Sequence, residues 1–170
     1  MTAVTIAALT PATMGAAEAL LDAEVAGRMQ ARLGQLVDVL ALPGFIARVG
    51  DRVIGVTTYR VDGERAELAV IVVADDAREA GTGSRLVACF VEAATSSSCH
   101  ELWLMTTNDN LRALRFYQRL EFRLSELHAG GVDRARQLKP GIPLLGQDGI
   151  PIRDELVLTR SLAAAPSDDR

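Results

Sequence analysis

Three short blocks of this chain carry residue types that could do chemistry: Glu67, the run Arg78-Glu79-Ala80-Gly81-Thr82-Gly83-Ser84, and the segment from Asn110 to Phe122, which contains Tyr117. In the middle block an apolar stretch, Glu67 to Val73, runs into Arg-x-x-Gly-x-Gly, after which Leu86, Phe90 and Ala93 recur at helical spacing. A strand that feeds a helix through such a turn leaves unpaired backbone N–H groups at the helix N-terminus. The helix dipole favours an anion there as well, so a phosphate fits. Gly81 and Gly83 would let the backbone approach that ligand closely and take positive φ. A plain strand-to-helix corner would use the same glycines, so the loop alone decides nothing. A dinucleotide fingerprint is incomplete, because Leu86 stands where the third glycine belongs, and the Gly-Lys-Ser/Thr of a P-loop is absent.

The elements that must position these residues follow from pattern. Val4 to Leu9 reads as a strand, and Thr10-Pro11 offers an N-cap and a proline at the first helical position. Ala and Leu dominate Ala12 to Leu42, which predicts two helices broken near Gly27. Phe45 to Val49 and Val53 to Val61 read as strands joined by Gly50-Asp51, and Glu67 to Val73 as a strand covered on both faces. Leu102 to Thr107 is a further strand. Asn108 and Asp109 are expected to cap a helix whose Ala113, Phe116, Tyr117 and Leu120 share a face. Phe122 to Leu127 and Leu156 to Thr159 complete the strands. Between them, His128 to Pro151 is dense in glycine and proline, with two turns of helix over Val132 to Leu138, and this stretch is a candidate lid. The order predicts an α/β fold with a sheet of mixed direction, one domain over residues 1–162 and a loose tail over 163–170.

Composition narrows the function classes. The net charge of -4 and the absence of a basic tract argue against nucleic acid as partner. Cys89 and Cys99 show no metal-ligand spacing, so neither a metal site nor a disulfide is expected. No apolar run long enough for a bilayer and no basic N-terminal flank appear, so the expectation is a cytoplasmic protein without a membrane partner.

The glycine loop is followed by a second block, Asn110-Leu-Arg-Ala113-Leu-Arg-Phe116-Tyr117-Gln-Arg-Leu120-Glu-Phe122. Together the two blocks resemble the GNAT superfamily of acetyl-CoA-dependent N-acetyltransferases, over about Glu67 to Leu127. The resemblance implies a mixed sheet of about six to seven strands flanked by about four helices. It implies acetyl-CoA as cosubstrate and a primary amine, on a small molecule or peptide, as acceptor. Backbone amides from Arg78 through Glu79, Ala80, Gly81, Thr82 and Gly83 to Ser84 would cradle the pyrophosphate, and Ile71, Val72 and Val73 would pair with the pantetheine arm as a strand would. Asn110 matches a cofactor-contacting asparagine and also reads as a helix N-cap. Tyr117, a core aromatic by periodicity alone, matches the tyrosine that contacts the cofactor and protonates the departing thiolate. Glu67 matches a general base, and a bulge in its strand would decide which face it takes.

Two residues depart from the family pattern. Glu79 puts a carboxylate beside the pyrophosphate, which Arg78 or Arg85 would have to offset, and Glu121 stands where the family has glycine, which implies a strained left-handed residue. Two other readings stay open: a module that binds acyl-CoA without turning it over, and a nucleotide-binding transferase with Asp75 and Asp76 as its metal acids. The sequence also leaves open a homodimer.

Overall fold

Thr10 and Thr13 close a turn after the first strand, β1 (Val4–Ala8), with the Thr13 hydroxyl donating to the Thr10 carbonyl at 3.1 Å. Helix α1 therefore opens later than Thr10-Pro11 suggests, at Met14, and runs to Val25. It ends where expected. Ala26 turns left-handed (φ 58°), Gly27 follows at φ 98°, and the Gly27 amide donates back to the Leu21 carbonyl, the wrap that closes many helices.

This computed structural model describes residues 3–163, apart from the side chains of Glu79 and Ala80, so the tail expected over 163–170 lies from residue 164 outside the described residues. The second helix expected before Leu42 is instead a β-hairpin, β2 (Met29–Arg32) and β3 (Gln35–Asp38), followed by a 3₁₀ turn over Val39–Ala41. Its turn explains the error. Arg32 pairs with Gln35, and the two residues between them, Leu33 (φ 46°) and Gly34 (φ 77°), both have positive φ, as a two-residue hairpin turn requires. A local helix preference worth tenths of a kcal/mol per residue yields to that turn and to the tertiary contacts of the hairpin.

The remaining elements match the expected order: β4 (Gly44–Val49), β5 (Arg52–Asp62), β6 (Arg65–Val73), a 3₁₀ turn over Asp75–Ala80, α2 (Thr82–Ser96), β7 (Glu101–Thr107), α3 (Leu111–Arg119), β8 (Arg123–His128), α4 (Gly131–Leu138) and β9 (Glu155–Ser161). Seven strands form one sheet in the order β1-β4-β5-β6-β7-β9-β8, antiparallel except for β6 beside β7. Four α-helices accompany it among the described residues, and the mixed sheet is the fold the resemblance implied.

Each sheet face has its own core. Phe90, Leu102, Leu104, Tyr117, Phe122 and Leu158 pack under α2 and α3, and Leu21, Val39, Leu40, Ile46, Val56 and Val72 pack under α1. The α3 cap differs in detail from the expectation. Asn110 is the N-cap, its side chain accepting the Ala113 amide at 3.1 Å, whereas Asn108 accepts the Arg153 and Asp154 amides and Asp109 accepts the Thr107 hydroxyl. Glu121 is left-handed at φ 68°, as its place after the helix implied.

The Gly/Pro-rich stretch is organised around Arg136. Its guanidinium donates to the carbonyls of Ile142, Pro143 and Ile152 and pairs with Asp133. A backbone bridge joins Leu145 to Pro151, so the segment closes on itself beside α4.

Candidate active site

A split in the sheet organises the site. β6 and β7 run parallel and pair only from Arg65 to Glu67 against Glu101 to Trp103. Beyond that point β7 continues against β9 while Leu68 to Val73 of β6 keep a strand partner on the β5 side only. The exposed edge of β6 ends at the glycine loop, so an extended chain laid along it would arrive at the anion cradle inferred from sequence.

At the cradle, Gly81 is the left-handed N-cap of α2 (φ 72°), and a Cβ there would meet nothing within 4 Å. The first helical bond returns from the Arg85 amide to the Gly81 carbonyl, so the amides of Thr82, Gly83 and Ser84 precede the helical ladder. Thr82 is buried with its hydroxyl unpartnered among the described residues. Gly83 serves packing. A Cβ there would stand 3.2 Å from Phe116 Cζ, so its absence lets the start of α2 approach α3. The side chain of Arg78 turns away from the loop mouth: it donates to the Val73 carbonyl at 3.0 Å and pairs with Glu24 of α1 and with Asp75. Arg85 donates to the Val4 carbonyl at 2.9 Å. Both cations that could offset Glu79 are thus engaged within the protein, and the Glu79 side chain itself lies outside those described.

Tyr117 belongs to the same packed cluster as Leu68 and Leu104, the first residues past the split on either side. Phe116 and Phe122 flank its ring, the latter edge-on at 5.9 Å. Burial pushes the phenol well above its ordinary value, and the positive field of Arg32 works against that shift.

Glu67 lies on the opposite face of the sheet, and a bulge puts it there relative to the strand end. Thr58 pairs with Val70 but Tyr59 pairs with Leu68, so Ala69 is the extra residue. Glu67 therefore faces the α1 side with Val70 and Val72, whereas Ile71 packs with Leu68 on the other. Its carboxylate is almost fully buried and held by two guanidinium groups: Arg32 reaches it from the hairpin, and Arg60 donates to Oε2 at 2.7 Å from the neighbouring strand. Arg32, itself 5% exposed, also donates to the carbonyl of the bulge residue Ala69. Burial pushes the Arg32 guanidinium down from its ordinary value, while Glu67, Tyr117 and Glu155 pull it back up.

Glu155 is the second buried carboxylate of this region. At the start of β9 it accepts the Leu33 amide from the hairpin turn at 3.1 Å, and a Cβ on Gly131 at the head of α4 would overlap it. Lys139 at the end of α4 donates to the carbonyls of Ala26 and Met29. The hairpin, α4 and the β6 face are thus joined by polar contacts over the split.

Ile71 to Val73 and the loop from Arg78 to Ser84 follow one another along the β6 edge, and Tyr117 packs with Leu68 at the split, whereas Asn110 is placed as the cap of α3. The structure adds Arg32, Arg60 and Glu155, which sequence reasoning missed. His128 pairs with Glu126 at 3.0 Å on the outer strand. Asp75 and Asp76 each face an arginine, Arg78 and Arg52 respectively, and among the described residues no three His, Cys, Asp or Glu side chains converge on a metal-sized space. Among the described residues no helix is long and apolar enough to cross a membrane.

Known proteins agree with this geometry. The sequence profile of the Acetyltransferase (GNAT) family matches residues 16–122. The uncharacterised protein YxbD of Bacillus subtilis (strain 168) is 38% identical over 112 residues, which span 66% of this chain and 69% of YxbD. Among solved structures, an IAA acetyltransferase from Bacillus cereus ATCC 14579 superposes with a TM-score of 0.72 at 22% identity, over 94% of this chain and 100% of that one. A GNAT family acetyltransferase from Elizabethkingia anophelis, with acetyl-CoA bound, superposes with a TM-score of 0.71 at 22% identity, over 94% of this chain and 98% of that one. With the family profile matched over more than half its length, the chain belongs to the GNAT family of acetyltransferases.

Proposed function

We propose that this chain is an acetyl-CoA-dependent N-acetyltransferase that moves the acetyl group directly to a primary amine while both substrates are bound. The observation that carries this reading is the split between β6 and β7, which leaves a free strand edge running into a glycine-capped helix, with the Tyr117 cluster packed across the gap. The solved relative with acetyl-CoA bound supports the choice of cofactor. The residues fit that cofactor. The edge from Ile71 to Val73 has no strand on the β7 side, Gly81 opens onto free space, and the amides of Thr82 to Ser84 precede the helical ladder. The remaining loop members, Arg78, Glu79 and Ala80, would complete the pyrophosphate cradle, and Asn110 would line its α3 side. When bound, acetyl-CoA supplies an activated acetyl thioester.

In this reading a backbone N–H near Val73 holds the oxygen that becomes negative as the amine attacks, and Tyr117 gives a proton to sulfur. Glu67 takes the proton from the amine, directly or through water. Its two arginines set a condition on that step: once protonated, Glu67 would leave two cations facing no carboxylate unless negative charge appears nearby. The same clamp favours one alternative, a protein that binds acyl-CoA and does not turn it over.

The test is thiol release from acetyl-CoA across a panel of amines, with cofactor binding followed separately by thermal protection. Release that depends on an amine and falls about 100-fold or more in Tyr117→Phe supports the enzyme reading. Protection by acetyl-CoA with no release from any amine favours the binding module.

A further inference from the structure

Of the two guanidinium groups that hold Glu67, one can be reached from outside. Arg32 and Glu67 are enclosed, their side chains being 6% and 3% exposed, whereas the Arg60 side chain is 41% exposed. Arg60 commits a single nitrogen to the carboxylate, Nη2 donating to Oε2 at 2.7 Å. Among the described residues its Nε and Nη1 donate to no partner, and neither is a buried atom. That sets it apart from Arg28 and Arg52, each of which closes two nitrogens on one aspartate. Register keeps the pair together: Arg60 and Glu67 stand opposite one another on β5 and β6, so both project to the same face of the sheet.

We infer that Arg60 receives a carboxylate of the acceptor, so that the substrate of this site is an amine with a carboxylate on the neighbouring carbon, a free amino acid. The inference rests on the acetyltransferase reading, with Glu67 as the group that takes the proton. A proton that arrives at Glu67, directly or through water, arrives beside the Arg60 guanidinium, because a hydrogen bond joins the two side chains. In an amino acid one carbon separates the nitrogen from the carboxylate, so both groups can be met at this one place. At a peptide N-terminus the corresponding group is a neutral amide. The planar guanidinium with donors to spare also suits a carboxylate, which accepts on two oxygens.

The charges agree with this. Arg32, Arg60 and Glu67 together carry one uncompensated positive charge. It attracts a carboxylate and disfavours the ammonium form of the amine, so the acceptor is held in the form that attacks. Once Glu67 has taken the proton, the acceptor carboxylate remains on Arg60, and the centre carries no more charge than it did before the acceptor bound. An amine without a carboxylate would leave the centre one unit more positive. The other acids nearby do not supply that anion. Glu155 is held by the Leu33 amide at the hairpin turn, and Asp62, two residues along β5, is exposed and forms no ion pair with Arg60.

The experiment measures thiol release from acetyl-CoA with the common amino acids, their methyl esters and the amines that lack the carboxylate, in the unaltered protein, Arg60→Gln and Arg60→Lys. The free acids that react best are expected to exceed their esters and decarboxylated amines about 10-fold or more in kcat/KM. Arg60→Gln is expected to raise the KM of the free acid about 10- to 100-fold and to remove its advantage over the ester, with Arg60→Lys recovering part of the loss. Esters that react as well as the acids overturn the inference. So does an equal fall for acid and ester in Arg60→Gln, which would mean that Arg60 acts on Glu67 alone. Should Arg60→Gln fail to fold, Arg60→Lys carries the comparison. A second measurement needs no turnover. With CoA present, an N-acetyl amino acid should protect the unaltered protein against melting, its methyl ester should protect less, and Arg60→Gln should lose the difference. Absent protection, or equal protection by acid and ester, overturns the inference. If no amine drives thiol release from the unaltered protein, the acetyltransferase reading falls while this measurement still judges the carboxylate at Arg60.

Discussion

The two sides of the split are built by different means. The side inferred to hold cofactor is made of backbone: a free strand edge, a left-handed glycine, the first amides of a helix, and a missing Cβ at Gly83 that lets α2 meet α3. The opposite side is made of side chains. Arg32, Arg60, Glu67, Glu155 and Lys139 reach across from four strands and a helix to join the hairpin, α4 and β6. A backbone site depends on conformation and tolerates varied sequence, whereas a side-chain site depends on each charge having its partner. Changes of glycine should therefore break the first side, and changes of charge the second.

The largest effect on stability is expected where a buried pair is broken singly. Arg32→Met should destabilise the fold by about 3–5 kcal/mol, because Glu67 is left buried with Arg60 alone, while Arg32→Met/Glu67→Met should recover most of that loss. Urea unfolding of the two variants checks this, and equal losses in both would mean that the pair does not hold the hairpin side together. Next come the glycines. Gly81→Ala puts a side chain into a left-handed conformation at a cost of about 1–2 kcal/mol with no steric clash. Gly83→Ala must displace Phe116, which packs on Tyr117, so it should lower turnover more than Gly81→Ala does. Melting curves alongside thiol-release rates separate the two.

The same contrast governs what the sequence could reveal. Glu67, the loop from Arg78 to Ser84, Asn110 and Tyr117 lie within one stretch whose strand, glycine corner and helix are legible from local pattern, while the roles proposed for them come from the family resemblance. The left-handed Glu121 was legible through the same resemblance, because the family has glycine at its place after the helix. Arg32, Arg60 and Glu155 meet Glu67 only through the folded sheet. Arg32 was hidden further by an Ala- and Leu-rich stretch whose helical preference loses to the Leu33-Gly34 turn. That turn, followed by the β-branched Val37 and Val39, was the available hint of a hairpin. The bulge at Ala69 has no signature in composition, although it decides which face Glu67 takes relative to Val72.

A smaller effect tests whether Asn110 serves its helix on the backbone side. Its side chain accepts the Ala113 amide, so Asn110→Ala should cost about 1 kcal/mol, and Asn110→Ser, which keeps an acceptor, much less. If Asn110 also meets the cofactor, the protection that acetyl-CoA gives against melting should fall in both variants. Protection that stays intact in Asn110→Ser would confine the residue to its capping role.

The smallest effect belongs to the hairpin and depends on pH. Asp38 ends β3, accepts two hydrogen bonds from Arg28 at 2.8 Å each, and accepts the Leu40 amide at the start of the 3₁₀ turn. The Arg28 bonds hold its carboxyl below the ordinary value, the Leu40 amide adding to them and partial burial opposing. A carboxyl depressed in the folded state contributes stability that is present above the unfolded value, about 3.9, and is lost as the pH falls through the lower folded value. Asp38→Asn removes that contribution at every pH. Hydrogen exchange of the β2 and β3 amides should therefore be faster in Asp38→Asn than in the unaltered protein at neutral pH, and the two should converge in acid. Amides of β6 and β7 should show no such difference, because they sit in the sheet and not in the hairpin. A hairpin whose exchange ignored both the substitution and the pH would be held by Arg32, Glu155 and Lys139 without help from its own salt bridge.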